Sequence, residues 1–131
     1  MSKLTHYVFL FIVVIVAATI GCRGNVQSRG TVKFDDGSPL SEGVIYFSTA
    51  QNEYFSALKS DGTFSIWAVR EGDGLPPGQY LVYVTFPSIL DPKDWPVDKK
   101  FTVPETSGWT ADVQPGGKNR FEFVVTRPAK N

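Results

Sequence analysis

The chain has 131 residues, and its 13 basic and 13 acidic side chains balance. One domain is what this length accommodates, and a near-neutral chain lacks the positive field that steers nucleic acid. One cysteine excludes an internal disulfide framework, and twelve glycines, nine prolines and an aromatic fraction of 14% favour a turn-rich β protein over helices.

The N-terminal segment carries a targeting pattern. Lys3 stands in a short polar start, the run Val8 to Ile20 has no charge, and Gly21-Cys22 follows. A membrane span needs roughly 20 apolar residues, whereas a secretory apolar region needs only about 7–15. The segment 1–21 is therefore expected to be a signal peptide, with an uncleaved signal anchor as its rival. Around Ile20-Gly21-Cys22 it resembles the cleavage box of bacterial lipoproteins, with Thr19 standing where leucine is usual. The resemblance implies cleavage before Cys22 and attachment of diacylglycerol to its thiol. One acyl chain anchors only marginally, and diacylation supplies the two that stable attachment needs. The protein is then expected in the cell envelope, held to the inner or outer membrane by its N-terminus and facing the periplasm or the exterior. Residues 22–29 read as a polar tether.

From there, apolar residues recur with period two, the signature of half-buried strands. Val32 and Phe34 share a face, and Asp36-Gly37 turns the chain. Val44 to Ser48 follows, with Ile45 and Phe47 inward. Glu53 to Lys59 is a third strand, Asp61-Gly62 a tight turn, and Thr63 to Val69 a fourth strand with Phe64, Ile66 and Ala68 inward. Residues 70–78, rich in Gly and Pro, form a loop. Gln79 to Phe86 is the clearest strand. Tyr80, Val82 and Val84 line one face, and the other is apolar enough to predict a central or covered position. Residues 87–96 make a long excursion with one helical turn at Asp91 to Asp94, and Phe101 to Val103 is strand-like. Trp109, Ala111 and Val113 alternate before the turn Pro115-Gly116-Gly117, and Phe121, Phe123 and Val125 close the fold. Residues 127–131 are expected to fray. Seven or eight short strands at regular spacing predict an all-β, antiparallel Greek-key sandwich over residues 30–126.

Gly30-Thr31-Val32, the run Asp36-Gly37-Ser38-Pro39-Leu40-Ser41-Glu42-Gly43, Ser60-Asp61-Gly62-Thr63-Phe64 and Leu75-Pro76-Pro77-Gly78-Gln79-Tyr80-Leu81-Val82 follow one another in an order that resembles carboxypeptidase-regulatory-like, transthyretin-like domains. The stretch from Pro104-Glu105-Thr106-Ser107 to Asn119-Arg120-Phe121 resembles a subgroup of small planctomycete lipoproteins, with Trp109 where leucine is usual. The resemblance implies a seven-stranded prealbumin-like sandwich and no catalysis.

The residues agree with that expectation. The only histidine, His6, lies in the signal segment, so the remainder lacks the partners for Ser-His-Asp or Cys-His catalysis and for ordinary zinc or copper sites. No cofactor and no metal are expected. Asp35-Asp36 and the group Asp91, Asp94 and Asp98 read as solvated turn residues, with calcium ligation as the alternative for the latter. A buried Lys33–Asn119 pair would allow an isopeptide cross-link, but Lys33 is expected to face outward. Trp67, on the face opposite Ile66, and Trp95, between Asp94 and Pro96, are candidates for a ligand platform against which a sugar could pack; Trp109 is expected in the core. The function expected is a lipid-anchored, non-enzymatic structural or protein-interaction module, presenting loops such as 70–78 and 87–100 to an unknown envelope protein. A carbohydrate-binding module using exposed tryptophans, with a glycan as partner, is the alternative.

Overall fold

The computed structural model describes residues 24–116 and 119–129; the expected signal segment, 1–21, and Cys22 lie outside the described residues. Among the described residues, seven strands form two sheets. They are β1 (Ser28–Phe34), β2 (Val44–Ser48), β3 (Glu53–Ala57), β4 (Thr63–Ile66), β5 (Gly78–Thr85), β6 (Trp109–Val113) and β7 (Asn119–Val125). One sheet has the order β4-β1-β7 and the other β3-β2-β5-β6. Strand β5 is central, as its two apolar faces predict. Among the described residues no helix is long and apolar enough to cross a membrane.

The interior follows the alternation. Val32 and Phe34 of β1, Phe64 and Ile66 of β4 and Phe123 and Val125 of β7 face Ile45 and Phe47 of β2, Tyr80, Val82 and Val84 of β5 and Ala111 and Val113 of β6. Phe47 lies at the centre, fully buried, with the rings of Phe64, Tyr80, Phe121 and Phe123 at centroid distances of 5.7–6.3 Å. Leu40, Leu58, Leu75, Phe86, Val97 and Phe101 come from the connections and seal the ends.

Four expectations are corrected. The sandwich is not wholly antiparallel: β1 and β7 pair in parallel over seven residues, from Ser28↔Asn119 to Phe34↔Val125. Alternation sets which face a residue occupies, but only a tight turn forces its neighbour to run back. The first and last strands share no turn, so their direction follows from the path of the whole chain. Phe101 to Val103 is not a strand. Lys99–Thr102 is a 3-10 turn capped by the Asp98 carboxylate, which accepts from the Lys100 amide at 3.0 Å. It turns Phe101 into the core. Strand β4 stops at Ile66 because Ile66 is paired with Ser28, the first residue of β1, and beyond it there is no ladder to join. The sheet also starts earlier than expected. Ser28 is buried in β1, and Val26 exchanges backbone hydrogen bonds with Leu75 at 2.7 and 2.8 Å. The tether therefore shortens, while the expected helical turn near Asp91 is present as Pro92–Asp94.

Candidate functional site

The side chains singled out in the sequence are dispersed by the fold. Trp67 is 37% exposed just after β4, at the end of the sandwich where β1 begins. Trp95 packs its ring on Phe86 at 5.6 Å, beyond the last residue of β5, and its Nε1 is buried without a hydrogen-bond partner among the described residues. Leu75, just before β5, bridges Val26, just before β1, so the starts of these strands share an end. The eight residues of β5, at about 3.3 Å each, then put the two tryptophans at opposite ends. They form no joint platform. Trp109 lies between Phe101 and Phe123, with centroids at 5.1 and 4.9 Å, as expected of a core residue.

The carboxylates are spent on the backbone. Asp91 accepts from the Lys93 amide at 3.1 Å and Asp98 from the Lys100 amide, so each caps a 3-10 turn. With Asp94 they form no metal-holding cluster among the described residues. Asp36 accepts from the amide and hydroxyl of Ser38 at 2.9 and 2.5 Å and pairs with Arg127 at 3.0 Å. The hydroxyl contact, then the amide, then Arg127 hold its carboxyl down at about 2. Asp61 repeats the arrangement with the hydroxyl and amide of Thr63, which lower its pKa. Both are Asp-Gly turns in which the side chain closes on the residue two positions on. Arg127 also stacks over Phe34 at 4.1 Å, so the tail expected to fray is held at its first residue.

Lys33 pairs with Glu122 on the outer face. Asn119 lies at the opposite end of β7, where its side chain holds the backbone N–H and C=O of Gln114 at 2.8 and 3.0 Å. An isopeptide bond between Lys33 and Asn119 is geometrically excluded: Lys33 is in register with Val124, and Asn119 with Ser28.

Two surfaces that sequence reasoning missed emerge from cross-strand registry. On the outer face of the four-stranded sheet, Phe55, Tyr46 and Tyr83 fall in one row across β3, β2 and β5. Tyr46 stacks on Tyr83 at 4.8 Å and 7° and meets Phe55 at 5.6 Å. Such rings stand up from the sheet and share faces with one another, stabilising neighbouring strands. The Tyr83 hydroxyl donates to Glu53 at 2.6 Å, and burial first, then that carboxylate, pushes its pKa well up. Phe55 and Leu81 remain exposed, at 62% and 42%.

The outer face of the three-stranded sheet is different in kind. Here a groove of about 600 Å³ is lined by Arg29, Thr31, Lys59, Ser65, Arg120 and Glu122, among others. Arg29 is in register with Ser65 on one side and Arg120 on the other. Period-two alternation could nominate each residue as outward-facing. The meeting of Arg29 with Arg120, 91 positions apart, depends on the β1–β7 pairing.

No family model matches the sequence, and comparison with curated proteins returns no match. Among solved structures, the chain is similar to a 9R-lipoxygenase from Cyanothece PCC8801 at 19% identity with a TM-score of 0.34. That match covers 81% of this chain and 17% of the lipoxygenase, and is too slight to inform fold or activity.

Proposed function

We propose that the chain is a lipid-anchored, non-enzymatic module of the bacterial cell envelope, built as a Greek-key, prealbumin-like sandwich and acting by binding a partner protein. The anchor reading rests on the apolar segment ending at Gly21-Cys22. The Greek-key reading is supported by the connections. The β2–β3 hairpin hands the chain to β4 in the opposite sheet, and β5 returns to lie beside β2 rather than β4. The transthyretin-like resemblance agrees with such a path. The non-enzymatic reading draws support from the occupation of Asp36, Asp61, Asp91 and Asp98 by their own turns.

The observation that carries the binding role is the exposed apolar surface around Phe55 and Leu81, bordering the stacked Tyr46 and Tyr83. Exposed apolar surface of this kind, rimmed by polar residues such as Glu53, marks interaction sites. A photo-reactive phenylalanine analogue at position 55, in the chain expressed in its own envelope, is expected to give one discrete adduct. The same analogue at exposed Glu42 serves as the control. Equal adducts at both positions, or none at position 55, would refute the role. Incorporation of a labelled fatty acid, absent in Cys22→Ala, checks the anchor separately.

A further inference from the structure

We propose that the outer face of the three-stranded sheet docks on the anionic phospholipid headgroups of the membrane that holds the lipid anchor. This rests on the anchored reading of Cys22, and it assigns that membrane a second, electrostatic contact with the folded domain.

Four observations converge on this face. First, Arg29 and Arg120 stand side by side on β1 and β7, and Lys59 joins them at the groove. Like charges in register on adjacent strands repel, so an anion placed between them relieves a cost the sheet otherwise bears. The one carboxylate lining the groove, Glu122, is already engaged by Lys33; Asp61, near Lys59, turns its carboxylate to Thr63. Second, the cations have free capacity. Arg29 donates to Gln27 at 2.8 Å, and Arg120 has no hydrogen-bond or ion-pair partner among the described residues. A guanidinium presents paired donors that match the oxygens of a phosphate, and the hydroxyls of Thr31 and Ser65 stand beside them.

Third, Trp67 is exposed and continues the outward alternation of Thr63 and Ser65, next to the end where Arg29 lies. An indole with an apolar body and a polar N–H favours the boundary between headgroups and acyl chains. Fourth, the chain enters β1 at Ser28. Arg29 stands seven positions after Cys22, and at full extension such a segment reaches at most about 25 Å. The anchor thus keeps this end of the sandwich at the membrane, and a weak surface contact becomes effective through high local concentration.

The full chain, purified from the membranes of cells that express it, is reconstituted into vesicles of phosphatidylcholine, alone or mixed with phosphatidylglycerol, containing a lipid spin-labelled just below its headgroup. Fluorescence quenching is measured, and the contribution of Trp67 is isolated by subtraction of W67F. Trp67 quenching is expected to be strong in the anionic vesicles and weak in the neutral ones. Each cation removed, in R29Q and in R29Q/R120Q, is expected to lower the docked population roughly fivefold. Salt at about 1 M, where the screening length is about 3 Å, is expected to have the same effect. Both arginines are on the surface, and an unchanged near-ultraviolet circular dichroism spectrum shows that the variants are folded.

Equal quenching in the two kinds of vesicle, or quenching that survives R29Q/R120Q, overturns the proposal. Absence of anionic-lipid quenching together with calorimetric binding of inorganic phosphate assigns the groove to a soluble anion and equally overturns it. Vesicle flotation separates this outcome from failure of the anchor. A chain that floats with neutral vesicles but lacks anionic-lipid quenching is anchored and undocked. One that floats only with anionic vesicles docks without an anchor, and one that floats with neither refutes both readings.

Discussion

The Tyr80 hydroxyl donates to the carbonyl oxygen of Pro76 at 2.6 Å, four residues upstream. Its ring is buried in the core, so one residue fastens the proline-rich loop to the start of β5. The arrangement has the geometry of the tyrosine corner of other β-sandwiches. Burial first, then the neighbouring Tyr54, raises its pKa to about 12. Tyr80→Phe keeps the ring and removes the bond, and is expected to lower stability by about 1.5 kcal/mol, seen as a lower urea midpoint at constant m-value. Asp36 gives a pH signature of the opposite sense to that of Tyr80. Its folded pKa of about 2 lies below the ordinary 3.8, so its stabilising effect is complete above the ordinary value and is lost as pH falls through the folded one. The urea midpoint is therefore expected to decline between about pH 4 and pH 2, and Asp36→Asn to flatten that decline. Both residues were noticed in the sequence, Asp36 as a turn former and Tyr80 as an inward-facing ring. Which atoms they reach was not legible, since Asp36 meets Arg127 across 91 positions.

Strand β1 shows how an element is fixed by its neighbours. Alternation gives Val32 and Phe34 an inward face, and the turn chemistry of Asp36-Gly37 ends the strand. Gly30 has a different reason for being there. A Cβ at that position would lie 2.0 Å from the Phe121 carbonyl oxygen and 2.9 Å from the Phe64 ring, so the close approach of β7 leaves space only for hydrogen. Gly30→Ala is expected to cost at least about 3 kcal/mol, since strand backbone rather than a pliable side chain must move. Gly24→Ala, with nothing within 4 Å of the added carbon, is expected to stay within about 0.5 kcal/mol; paired denaturation curves make the comparison. Gly62 combines both demands, with φ at +78° and a Cβ that would meet the Val32 carbonyl oxygen at 2.5 Å. The Lys99–Thr102 segment marks where element reading fails. Phe101 and Val103 alternate like a strand, yet the Asp98 cap commits the backbone to a 3-10 turn.

Across the whole molecule, aromatic packing locks the two sheets together. Phe47 touches rings from β4, β5 and β7, and the hydroxyl of buried Ser107 donates to the Val82 carbonyl at 2.6 Å, pinning the loop before β6 to β5. Phe47→Ala is expected to cost about 4 kcal/mol, because the surrounding rings cannot close the space left. Thermal unfolding followed by near-ultraviolet circular dichroism would report it. At this scale the two outer faces also acquire opposite characters: one presents Phe55 and Leu81, and the other gathers Arg29, Arg120 and Lys59. A module tethered through Cys22 would then hold its basic face to the membrane and offer its aromatic face outward.

The sequence by itself determined the all-β class of the fold, the places of seven strands and the inward residues along them, because side-chain alternation and Asp-Gly turn geometry act between neighbours in the chain. It also places the lone cysteine, Cys22, directly after the uncharged run Val8 to Ile20 and Gly21. Only the tertiary structure decided that β1 and β7 run in parallel, that Trp67 and Trp95 lie at opposite ends, and that Arg29 meets Arg120. These depend on which distant strands become partners, a choice made by the shared burial of two sheets rather than by any local pattern.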